Sequence, residues 1–146
     1  MKITLAKAFK ERSRLNRKIH DVLELVREEN SIAEGGVRSI DVREKFAEFK
    51  DLGMKMIALK QAIGRANAGI ADKLVEIVEL KEIRSRLLAI PTNDGRQRSF
   101  PEEYVLVAEI KKAEILAEAE ELQRRIDKLQ DEIDEFNART RIEFEL

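Results

Sequence analysis

The sequence predicts an all-α fold, an antiparallel bundle of three to four helices with a long coiled-coil arm and a small two-stranded β patch. Seven residues near the C-terminus (Ile115, Ala119, Leu122, Ile126, Leu129, Ile133 and Phe136) recur at alternating spacings of four and three, the pattern of helices that wrap one another. Charged residues make up 39% of the 146 and aromatics 5%, with no Trp, which suits amphipathic helices with thin cores and charged outer faces. Both prolines, Pro91 and Pro101, fall in one short stretch, so elsewhere nothing forbids long helices. The hydrophobic 43% recurs periodically, which argues against disorder. At this length a single helical domain spanning 1–146 is expected.

The first helix is predicted from Thr4 to about Glu29, with Leu5, Ala8, Arg12, Leu15, Ile19, Val22 and Val26 facing inward. It stops at Asn30-Ser31 and Gly35-Gly36. Asp41 followed three residues later by Glu44 is a capping box that starts the second helix, whose stripe is Phe46, Phe49, Leu52, Met56, Leu59, Ile63 and Ala66. Gly64 and Gly69 mark a helix end or a close backbone approach, and a break is expected between Asn67 and Asp72. Asp72 then caps a third helix with Leu74, Ile77, Leu80, Ile83 and Leu87 inward, ending before Pro91. The stretch from Pro91 to Pro101 is rich in turn formers and contains Asp94-Gly95. Tyr104 to Val107 and Arg141 to Leu146 read as short strands, expected to pair with each other. The fourth helix, about Ala108 to Arg139, carries the heptads.

Net charge is -1 and the pI about 6.0, so no global basic field exists to hold nucleic acid or an anionic membrane. The ends differ in sign. Residues 1–20 carry seven Lys or Arg against Glu11 alone, and residues 114–146 carry eleven acids against five bases. The first and last helices are therefore expected to lie side by side, within one subunit or across a dimer. Nucleic-acid binding through the basic first helix is a lesser alternative, disfavoured because Phe9 is the one aromatic among its cations.

Several chemistries find no residues. The chain has no cysteine, hence no disulfide or thiolate, and one histidine, His20, hence no catalytic triad or Glu-x-x-His di-iron site. No P-loop motif occurs. No catalytic residue, metal or cofactor is expected, and the protein is read as non-enzymatic. The N-terminus lacks the apolar core of a secretory signal, and no apolar run reaches the roughly 20 residues that span a bilayer, so a cytoplasmic protein without membrane partners is expected.

The informative residues are polar ones that helical spacing turns inward or leaves at helix ends. Arg12 sits in the first stripe, Arg65 and Asn67 near the end of the second helix, and Lys81 and Arg84 beside the third stripe. A buried unpaired cation is costly, so each needs a carboxylate, backbone carbonyls or an anionic ligand. These five are the candidate ligand-binding residues, Arg12 and Arg65 foremost, because a guanidinium grips phosphate or carboxylate in two places.

Leu5 to Leu15 (LAKAFKERSRL) resembles the opening LxxALxxRxxL of the small bacterial helical proteins described as septicolysin-like. Ile63-Gly64-Arg65-Ala66-Asn67 is similar to that family's IxxTN, Leu80 to Ile83 to its LxxRDxL segment, and Arg125 through Asn137 to its closing heptads, although Ala66 and Ala138 replace a threonine and a tryptophan. The resemblance implies a helical, oligomeric fold. A lytic activity has no counterpart here, since no membrane-inserting segment is present. The leading expectation is a homo-oligomer that binds or sequesters a small anionic, nucleotide-like ligand between helices or subunits. The alternative is a coiled-coil scaffold that binds another protein.

Overall fold

A computed structural model describes residues 1–99 and 102–144, the side chains of 97–99, 102 and 103 apart. The fold is all-α with two small two-stranded sheets. In order, the chain forms β1 (Lys2–Thr4), α1 (Leu5–Asn30), α2 (Val42–Asn67), a 3-10 turn (Ala68–Ile70), α3 (Ala71–Leu88), β2 (Gly95–Ser99), β3 (Glu102–Leu106), α4 (Lys112–Arg139) and β4 (Arg141–Glu143). It divides into two compact units: Met1–Gly69 with Asp134–Leu146, and Ile70–Ile133.

In the first unit α1 and α2 form a helical hairpin. Thr4 caps α1 by accepting a hydrogen bond from the Lys7 amide at 3.2 Å, and Asp41 caps α2 by accepting from the Glu44 amide at 3.0 Å. Gly35, at φ +79°, supplies a left-handed turn between them that β-carbon sterics discourage in other residues. Glu29 accepts from the Ser39 hydroxyl at 2.7 Å and its amide at 3.0 Å, and Arg38 donates to the carbonyls of Glu29 and Asn30, so the loop is tied to the end of α1.

Both chain ends seal this unit. β1 pairs antiparallel with β4, Ile3 opposite Ile142, and the Leu5 amide donates to the Thr140 carbonyl at 2.8 Å. Ile3, Leu5, Ala8, Leu59, Ala62, Ile63, Ile142 and Phe144 make the core, with Leu5 and Leu59 fully covered. Gly69 permits close approach: a β-carbon there would lie 3.3 Å from the Phe136 ring.

The second unit is an antiparallel coiled coil of α3 and the first part of α4. Lys73 pairs with Glu132 at 3.0 Å and Glu76 with Arg125 at 3.0 Å, so later positions on α3 meet earlier positions on α4. Ile77 and Leu80 on α3, and Ile115, Ala119, Ile126, Leu129 and Ile133 on α4, are all buried. β2 and β3 form a hairpin between the two helices, with Gly95 opposite Leu106 and Arg96 opposite Val105. Residues 100–101, between the two strands, lie outside the described ones.

Four expectations need correction. Within one chain the helix beside α1 is α2 and α4 takes α3 as its coiled-coil partner, so the expected side-by-side placement of the first and last helices is not found inside a subunit; there the oppositely charged ends meet through β1 and β4, where Lys2 and Glu143 lie 3.4 Å apart. The two expected strands do exist, but each has a different partner, β2 for Tyr104 to Leu106 and β1 for Arg141 to Glu143. The cap position of α3 is Ile70, with no side-chain bond, and Asp72 sits within the first turn. Finally, Ile83 is half exposed, and the seam runs from Leu80 to Arg84.

Candidate functional site

The five candidate ligand residues are divided between the two units. Arg12 is exposed, its guanidinium 5.3 Å from the centre of the Phe9 ring; the predicted inward position is thus wrong, because the residues around it on α1 leave it outside the contact with α2. Arg65 is exposed and borders shallow hollows beside β4. Asn67 is partly buried, with an Oδ1 that has no hydrogen-bond partner. These three belong to the first unit. In the second, Lys81 is exposed, and Arg84 lies in the seam with its Nε buried and unpartnered. Only Arg84 behaves as the inward cation that the spacing predicts.

A different set of cations does share a hollow, in the cleft between α1 and α2. Glu11, Arg14 and Lys18 follow one another at spacings of three and four along α1, hence on one face, and Leu52, Lys55 and Leu59 do the same on α2. The space between them is about 150 Å³. Leu15, Leu52, Leu59 and Phe144 make its floor, with Phe144 held by its amide donating to the Met1 carbonyl at 3.0 Å.

Charge at the rim is unbalanced. Arg14 is bound to Glu11 at 2.9 Å, and Lys18 lies 3.3 Å from Glu48. Glu48 is shared with Lys45 at 2.9 Å, and hydrogen bonds from Lys45 and then Lys18 hold its carboxyl below the usual range. Lys55 makes no ion pair with any described residue. Sequence reasoning missed these residues because all three cations look like ordinary surface positions. The signal available was their phase, directly beside the apolar stripes.

The second unit offers a surface of another kind. Tyr104, Val105, Leu106 and Val107 are 47%, 63%, 37% and 78% exposed, on and just after β3. Among the described residues β2 and β3 pair only with each other, which leaves each an edge without a strand beside it. Asp94 and Lys111 form an ion pair at the base of this hairpin, and that bond holds the Asp94 carboxyl below its ordinary range.

Among the described residues no group of three or more His, Cys, Asp or Glu is placed to hold a metal ion, and no helix is long and apolar enough to cross a membrane. No family model and no curated relative matches the chain. A solved structure does: a conserved protein of unknown function from Corynebacterium diphtheriae, with a TM-score of 0.79 and 22% identity, covering 98% of this chain and 100% of that one. The chain therefore shares that protein's fold over essentially its whole length.

Proposed function

We propose that this protein is a non-enzymatic scaffold that assembles with a second copy of itself through the β2–β3 hairpin. The observation that carries this reading is the run of exposed apolar residues from Tyr104 to Val107 on a two-stranded sheet with open edges. A lone two-stranded hairpin is marginal in water, and an open edge is a template for another strand. Strand chemistry selects the edge. Antiparallel pairing of β3 with its own copy about Tyr104 sets Glu102 and Glu103 opposite Leu106 and Val105, whereas β2 against itself sets Arg96 opposite Arg98, a like-charge pair.

The scaffold reading is better supported than sequestration of a nucleotide by the five expected residues, because Arg12, Arg65 and Lys81 are exposed and not turned inward. It is also better supported than nucleic-acid binding, since Lys2, Arg14 and Lys18 of the seven N-terminal cations already face carboxylates. Sedimentation equilibrium should show association of the wild-type chain, and Val105→Lys with Val107→Lys should render it monomeric while circular dichroism stays unchanged. A wild-type chain that remains monomeric at its highest soluble concentration would sink the reading.

A further inference from the structure

We infer that the hollow between α1 and α2 is a binding site for a small organic anion, a carboxylate carried on an apolar body of about ring size. Size sets the class of ligand. About 150 Å³ is the room that takes a benzene ring, and it falls below the roughly 300 Å³ at which pockets for larger ligands begin. The hollow is partly open to solvent, so this volume sets the size of the part of the ligand that it seats.

Chemistry sets the polarity. Leu52, Leu59 and Phe144 are among the most buried residues of the chain, and with Leu15 they offer an apolar seat. Above that seat stand Arg14, Lys18 and Lys55 against the single lining acid, Glu11. Lys18 and Lys55 come from different helices, so repulsion across the cleft is relieved when an anion lies between them. Lys55 is the decisive residue: among the described residues it has no ion-pair partner, so it serves as the primary contact, while Arg14 and Lys18 are already oriented by Glu11 and Glu48. The carboxylate belongs at the rim, and the apolar body on the floor.

The test is titration of the full-length chain, methyl-labelled at leucine, with benzoate, benzyl alcohol and inorganic phosphate at fixed ionic strength. Benzoate should shift the Leu15 and Leu52 methyl signals saturably, at one site per chain. Benzyl alcohol should bind at least tenfold more weakly, for want of charge. Phosphate should leave both methyls unmoved. Lys55→Met should weaken benzoate about tenfold without changing the thermal midpoint, because Lys55 holds nothing in the fold. A second variant, Leu15→Phe, should fill the seat and abolish the shift of the Leu52 methyls. The inference is overturned if benzoate up to about 10 mM moves neither methyl, if benzyl alcohol binds as well, or if Lys55→Met binds benzoate unchanged.

Discussion

Arg84 shows how one side chain can break a pattern and still obey physics. The heptad that runs through Ile77 and Leu80 continues to Arg84, and the direction of the Lys73–Glu132 and Glu76–Arg125 pairs brings the small Ala119 near that level of α4. Its Nε is buried without a partner, so its desolvation is not repaid. Arg84→Leu should therefore stabilise the second unit by about 1 kcal/mol, a rise of ~4 °C in Tm by calorimetry. A fall in Tm would mean that the arginine is balanced by something other than the seam. Glu48 supplies the pH dependence. Its folded carboxyl titrates below the unfolded one, so its contribution is complete above the ordinary glutamate value and lost as pH falls through the lower folded value. Wild type should melt above Glu48→Gln at neutral pH, and the gap should narrow and close as pH falls through the lowered folded value.

At the scale of elements, the two glycines near the end of α2 carry opposite predictions. A β-carbon at Gly64 meets nothing within 4 Å, and α2 runs through it to Asn67, so Gly64→Ala should stabilise by about 0.5–1 kcal/mol. At Gly69 the Phe136 ring stands 3.3 Å from the same point, so Gly69→Ala should push the ring and lower Tm. Chemical denaturation of both variants reads the two signs directly. The helices themselves were largely legible in the residues. Thr4, Asp41 and the stripes on α1, α2 and α4 place their starts and inner faces close to those observed, because capping and amphipathic spacing are local properties. The strand partners were not, because Tyr104 to Leu106 and Arg141 to Glu143 are equally plausible edges for several partners until the helices are laid down.

For the whole molecule, the first unit is assembled from both ends of the chain, while the second is one continuous segment. Since Gly69 lies against Phe136, the segments that leave and re-enter the first unit end close together. A protein joining Gly69 to Asp134 through a short glycine linker should fold with a cooperative helical melt, because its core is drawn from β1, α1, α2 and β4. A non-cooperative melt would show that this core needs the coiled coil. Thr4→Ala in either form should cost about 1 kcal/mol through the lost cap.

The residues alone determined an all-α protein with amphipathic helices, a break after Asn67 and a long heptad helix, since each follows from interactions within a few residues along the chain. They also marked Arg84 as an inward cation. Only the tertiary structure decided that α4 pairs with α3, that the two chain ends meet as strands, and that Arg14, Lys18 and Lys55 surround one hollow while Arg12 faces out. Those outcomes turn on which faces meet across the chain. That choice depends on the summed burial of all the stripes together, and no local spacing encodes it.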